Sequence, residues 1–298
     1  MTTAPATGPD VRRIGDPGAD LAVPPLNTRA LSPALGLEVL DVDLRQPLPD
    51  TRIAQLREAW YAGQILLLRD QTLSEDDQVR FAEYFGPPAK TINVHNTGRH
   101  PSIMLISNIR QDGKPIGALP DGEMQFHTDQ CYVERPAAAS MLYAIEVPRS
   151  GGNTLFANAY LAYETLPDAI KQRIAGRKAI NAYDYDNAAT FRGTRLRDGV
   201  PHYAHPVVRT HPATGRKALY VNRLMTIAIE GLPEDESDEL LNVLFDHQEQ
   251  QRFVYEHAWR VGDILMWDNR CTLHARTDFS PDERRLMRRI AILGEKPE

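Results

Sequence analysis

A chain of 298 residues with 42% hydrophobic and 25% charged side chains is long enough for one large core or two small domains. Its net charge of −6 excludes the overall basic balance of a nucleic-acid or anionic-membrane binder, and no apolar run approaches the roughly 20 residues of a membrane helix. Its two cysteines, Cys131 and Cys271, cannot build a disulfide framework and fit a reducing cytoplasm.

Residues 1–25 are rich in Ala, Pro, Gly, Asp and Thr and lack an apolar signal core. A disordered tail is expected there, followed by one domain over 26–298. Alternation over 35–42 predicts a first strand, and helical spacing over 51–62 a first helix. Ile65-Leu66-Leu67-Leu68 is a continuous apolar run of the kind found in buried strands. Ser74 with Asp77 three residues later predicts a capped helix that Gly86-Pro87-Pro88 stops. Residues 87–125 carry few regular signals beyond the strand-like 103–106 and are expected to form a long loop of the lid type.

Residues 139–147 read as a strand, and 158–176 as helix broken into two by Pro167. The polar stretch 182–205 is a second lid candidate. Segments 207–210 and 218–221 flank Pro212-Ala213-Thr214-Gly215 and predict a hairpin. An acidic start predicts a helix over 233–254. Strands are expected over 253–259, 263–267, 271–275 and 286–293. The pattern as a whole is mainly β with helices, suiting a jelly-roll core with flanking and inserted helices.

His127-Thr128-Asp129 carries the chemistry. On a strand, residues two apart project to one face, so His127 and Asp129 can reach one metal. His274, in another strand-like segment, supplies a third ligand. Two imidazoles and a carboxylate form the face that holds Fe(II) and leaves positions open for an oxidant and a co-substrate. The same three ligands could instead hold a hydrolytic zinc with a bound water. Arg285 and Arg289 share a strand face with Met287 and Ala291 and could receive carboxylates bidentately. Arg284 and Arg288, on the other face, read as a solvated edge. His205 and His211 read as structural groups. Asp268 and Asn269 read as turn-formers, and Asn222 as a structural amide as readily as a substrate contact.

Several blocks resemble one family. They are His127-Thr128-Asp129, Glu146-Val147-Pro148-Arg149-Ser150-Gly151-Gly152-Asn153-Thr154-Leu155, Trp267-Asp268-Asn269-Arg270, and the run from His274 to Arg289 and Gly294. From about residue 33 onward the chain resembles the taurine dioxygenase/2,4-dichlorophenoxyacetate dioxygenase family of Fe(II)- and 2-oxoglutarate-dependent enzymes. The resemblance implies a double-stranded β-helix fold, with His127, Asp129 and His274 as iron ligands. It implies Thr154 and Arg285 on the far carboxylate of 2-oxoglutarate, and Arg289 toward an anionic substrate. The implied reaction hydroxylates a small carboxylate or sulfonate with O2, releases succinate and CO2, and cleaves C–O, C–N or C–S bonds when the product is unstable. A homo-oligomer, dimer or tetramer, is implied by resemblance alone. The stretches after Phe85-Gly86 and before His127 do not match a taurine pocket, and an inward Glu123 would repel a sulfonate. Asp129 occupies the position that related halogenases leave small, so halogenation is not expected. A non-catalytic binding protein on the same scaffold is the third alternative.

Overall fold

The computed structural model describes residues 23–91, 98–119, 122–185 and 195–298. Most of the expected 1–25 tail, and parts of both expected lids, lie outside the described residues. Two sheets position the site. The larger has seven strands in the order Thr28–Ala30, Leu37–Val39, Ile65–Leu68, Ile264–Asp268, Ala139–Glu146, Leu286–Ile292 and Met104–Ser107. The smaller has four, in the order Val254–His257, Thr154–Asn158, Thr272–Arg276 and Met124–His127.

The apolar run at 65–68 explains how the layers stack. Alternate side chains of a strand leave opposite faces of its sheet. Ile65 and Leu67 join a buried cluster with Leu142, Leu265, Met287, Phe156 and Trp267, which draws on both sheets. Leu66 and Leu68 point the other way, into a cluster with Leu56, Trp60, Val79 and Phe81. Those last four residues come from helices Asp50–Gly63 and Glu75–Glu83, which cover the outer face. A strand buried on both sides needs no polar alternation.

Local signals held where the chain makes its own contacts. The Ser74 hydroxyl accepts from the Asp77 amide at 3.1 Å, and the Asp77 carboxylate accepts from the Ser74 amide at 3.0 Å. Residues 158–176 do form two helices, Ala159–Glu164 and Asp168–Ile174, with Asn158 and Pro167 at their N-caps. The acidic helix is Glu234–Gln248, shorter than its apolar pattern, because a 3-10 turn at Gln251–Phe253 leads into the next strand.

Three readings need correction. The 87–125 segment is not a loop broken only by the strand expected at 103–106, which forms as Met104–Ser107: it also contains a small ladder between Arg110–Gln111 and Lys114–Pro115. Within 182–205, His202–Pro206 is a strand paired with Lys178–Ala182, which also pairs with Thr226–Ile229. Buried positions in these strands are both polar and apolar, Asn181 and His205 beside Ala179, so strict alternation is lost. Arg288 is not solvated. It is 7% exposed, donates to the Leu73 carbonyl at 2.6 Å and lies over the Tyr143 ring. Arg284 does face solvent, paired with Glu146.

Leu67→Ala would open a cavity between the sheets. It is expected to cost about 3 kcal/mol of unfolding free energy, read as a lower midpoint in urea.

Candidate active site

The two histidines meet because two antiparallel strands place them opposite each other. His274 in Thr272–Arg276 is the register partner of His127 in Met124–His127, and their ring centroids are 4.0 Å apart. The strand stops at His127, so Asp129 arrives from the following turn and not, as expected, from the same strand face. One donor atom from each of His127, Asp129 and His274 lies within 4.8 Å of the other two. His127 donates its Nδ1 proton to the Gln125 carbonyl at 2.9 Å, which leaves Nε2 with a free lone pair. Burial holds both imidazoles below the ordinary histidine range, so both present neutral nitrogens. Burial alone would raise the Asp129 carboxyl. The Arg289 guanidinium, with the hydrogen bond from the Ser140 hydroxyl, outweighs it and holds the group ionised. Two neutral nitrogens and one carboxylate suit a divalent transition ion.

Asp129 is oriented by Ser140, which the sequence reading did not single out, and by Asn269, which it read only as a turn-former. The Ser140 hydroxyl donates to Asp129 Oδ2 and accepts from Asn269 Nδ2 at 3.1 Å. Asn269 in turn accepts from Trp267 Nε1 at 2.9 Å. Arg289 Nη2 lies 2.7 Å from the same Asp129 oxygen and 3.2 Å from Ser140 Oγ. The signal available for Ser140 was a hydroxyl in an otherwise apolar strand.

Thr154 and Arg285 line the same cavity as the three metal-facing groups and Arg289. The turn at Gly151 and Gly152, both at positive φ, leads into the strand that Thr154 opens. A Cβ on Gly151 would collide with the Asp278 carbonyl, so only glycine fits. Arg285 is 2% exposed, and its Nε and Nη1 are buried without a hydrogen-bond partner. Burial, and then the nearby Arg276, push this guanidinium down to about 9. A buried, uncompensated cation beside a hydroxyl is a receptor for a carboxylate.

The cavity holds about 490 Å³. Among the described residues Asp129 is its only carboxylate, against Lys90, Arg276, Arg285 and Arg289. Met104, Ile106, Leu142 and Met225, with Tyr132, Tyr183 and Tyr185, make much of the remaining wall. Described ends of both expected lids, at Ala89–Thr91 and at Tyr183 and Tyr185, contribute to it. Glu123 is exposed and does not line the cavity, so it presents no charge to an incoming anion.

The other prominent residues are structural. Asp268 accepts from His211 Nε2, from Arg270 and from the Arg270 amide, a buried network that does not line this cavity. His205 donates to the Val133 carbonyl. Asn222 accepts from the Met225 amide. Burial pushes the Cys131 thiol up to about 12 and Cys271 well above its usual range, so neither is a thiolate.

Comparison with known proteins agrees with this geometry. The model of the taurine catabolism dioxygenase TauD, TfdA family matches residues 27–291. The chain belongs to this family. It is 33% identical to an alpha-ketoglutarate-dependent 2,4-dichlorophenoxyacetate dioxygenase of Cupriavidus pinatubonensis, over 89% of this chain and 96% of that one. It is also 33% identical to a pentalenolactone F synthase of Streptomyces avermitilis, over 91% and 94%. The solved structure of AAD-2 with Mn(II) and N-oxalylglycine superposes with a TM-score of 0.77 at 28% identity, covering 91% of this chain and 98% of that one. A taurine dioxygenase structure from Burkholderia xenovorans gives 0.78 at 30% identity, covering 92% and 91%. As a family member the protein is an oxidoreductase, a dioxygenase that uses Fe(II), 2-oxoglutarate and O2.

Ser140→Ala frees one Asp129 oxygen from its donor. Fe(II) affinity, read by anaerobic competition with a chelator, is expected to fall about tenfold, with the fold intact by circular dichroism.

Proposed function

We propose that the enzyme hydroxylates a small organic anion, a carboxylate, sulfonate or sulfate ester, at a centre held by His127, Asp129 and His274. The observation that carries this reading is that these three residues, Thr154, Arg285 and Arg289 all line one cavity in which cationic side chains outnumber carboxylates. Relatives described as acting on 2,4-dichlorophenoxyacetate, on (S)-phenoxypropionate and on sulfate esters support an anion. A zinc hydrolase would have no use for a buried Arg285 and Thr154, so the dioxygenase reading is preferred.

When bound, the Fe(II)–2-oxoglutarate pair supplies O2 activation with release of succinate and CO2. The chain's own residues do the rest. His127 and His274 offer neutral nitrogens, and Asp129 a carboxylate that Ser140 keeps aligned. Arg285 and Thr154 receive the distal carboxylate of 2-oxoglutarate and so set the direction of its keto-acid end. Arg289, which pairs with Asp129 and lines the cavity, would be the cation that faces the substrate's charge. The apolar wall around Met104, Leu142 and Met225 excludes water from the reacting position. The described residues Ala89–Thr91, Tyr183 and Tyr185 of the two expected lids wall the same cavity.

The reading extends to architecture. The facing sheets are the two halves of a double-stranded β-helix, a jelly roll, forming one domain over 26–298. The free, buried Cys131 and Cys271 support a cytoplasmic protein. A homo-oligomer is the expected assembly. No described helix is long and apolar enough to cross a membrane.

The first experiment adds Fe(II), then 2-oxoglutarate, to metal-free protein without oxygen. A weak visible charge-transfer band that requires both is expected, and native protein without a band would overturn the assignment. Succinate release then ranks carboxylates, sulfonates and sulfate esters.

Two variants separate the arginines. Arg285→Met should abolish 2-oxoglutarate binding yet raise the melting temperature of the ligand-free protein, by about 2 kcal/mol equivalent, because it removes a buried unpaired charge. Arg289→Ala should leave 2-oxoglutarate affinity within about twofold and raise KM for the anionic substrate at least about tenfold.

A further inference from the structure

The turn that brings Asp129 out of its strand and into the site carries a side chain that its backbone does not call for. Residues 128–131 form a four-residue turn in which the Cys131 amide donates to the Thr128 carbonyl at 3.4 Å. Asp129 and Gln130 are its central residues, and Gln130 has a φ of 58°. A positive φ there favours glycine or asparagine, because a Cβ crowds the carbonyl oxygen and asparagine offsets this with local hydrogen bonds. Asp41, Gln64, Asp70 and Asp112 are the other described non-glycine residues with positive φ. The aspartates are of a type that tolerates it, and Gln64 caps the helix Asp50–Gly63. Gln130 has neither reason, and it alone of the five lines the cavity.

An uncommon conformation held beside a reacting centre points to use. Gln130 is half-buried, and among the described residues nothing hydrogen-bonds its carboxamide. The group is therefore available to a bound molecule. Its place in the chain says where. It follows Asp129 directly, so it stands at the metal end of the cavity. Its chemistry says what. A neutral amide competes poorly for an anion against the Arg289 guanidinium, since charge-assisted hydrogen bonds are the stronger ones. Its NH2 is matched by a neutral acceptor, such as an ether or ester oxygen.

We propose that Gln130 is a specificity-determining residue whose carboxamide donates to a neutral oxygen of the substrate, bonded to the carbon that is oxidised. The inference rests on the reading of His127, Asp129 and His274 as the iron centre and of Arg289 as the substrate-facing cation. Anions that carry an ether or ester oxygen at the reacting carbon are then preferred to their all-carbon isosteres.

The test titrates the protein, loaded anaerobically with Fe(II) and 2-oxoglutarate, by calorimetry. Two pairs of acids are compared, phenoxyacetate with 3-phenylpropionate and butoxyacetate with heptanoate. Within each pair a CH2 replaces the ether oxygen. The wild type should bind the ether acid of at least one pair about three- to tenfold more tightly. Gln130→Met, similar in size and equally crowded at its backbone, should bring that pair within about twofold by weakening the ether acid alone.

Gln130→Asn separates the side chain from the turn. It keeps a carboxamide and suits the positive φ, but withdraws the amide by one methylene. It should melt no lower than the wild type and still lose the preference. The proposal fails if neither pair shows a preference or binds, if the preference survives Gln130→Met, or if both acids weaken equally. It also fails if Gln130→Asn melts lower, since the turn itself would then need glutamine. Absence of the Fe(II)–2-oxoglutarate charge-transfer band in the wild type would instead overturn the dioxygenase reading beneath it.

Discussion

The register of two antiparallel strands sets His274 opposite His127, and the rest of the site is arranged around that pair. In a sheet, directly opposed side chains stand about 5 Å apart on one face, so two imidazoles reach one ion without distortion. A slip of one residue would send His274 to the other face. The alternation that places His274 also places Arg276 in the cavity, opposite Thr154 on the neighbouring strand. The hydrophobic contacts of Phe156 and Trp267 behind His274 resist such a slip, because it would expose them. The core between the sheets is thus also what sets the ligand geometry.

Charge is the second organising element, and it works against stability. Burying the Arg285 guanidinium without a counter-ion costs folding free energy that a carboxylate ligand returns on binding. Arg289 is treated differently: it neutralises Asp129, which together with Ser140 keeps a buried carboxylate ionised and aimed. One arginine is left wanting an anion and the other is provisionally satisfied. That asymmetry separates the two arginines electrostatically, although they sit only four positions apart, Arg285 just before the strand Leu286–Ile292 and Arg289 within it.

The sequence alone was sufficient for what depends on residue type and short spacing. The Ser74 capping box and the two helices split at Pro167 rest on chemistry or periodicity within a few residues, whereas grouping His127 and Asp129 with His274, and Thr154 with Arg285, leaned on the resemblance to the family motifs. The doubly buried strand at 65–68 was legible locally, since a run of four apolar residues has few other uses. The family motifs extended this reading to the co-substrate.

What only the tertiary structure decided involves partners far apart in the chain. Arg288 looked like a solvated edge because alternation says which face a side chain leaves, but not that a helix covers that face. Arg289 and Asp129, 160 positions apart in sequence, become an ion pair only once the sheet closes. Ser140 and Asn269, and Trp259 and Thr154, likewise meet through strand order. The strands at 178–182 and 202–206 were not legible because their buried positions, Ala179, Asn181, Ala182 and His205, mix polar and apolar side chains. A linear sequence displays the types of groups and their local period. Which distant donor meets which acceptor depends on register and layer packing, and that selection was made only by the fold.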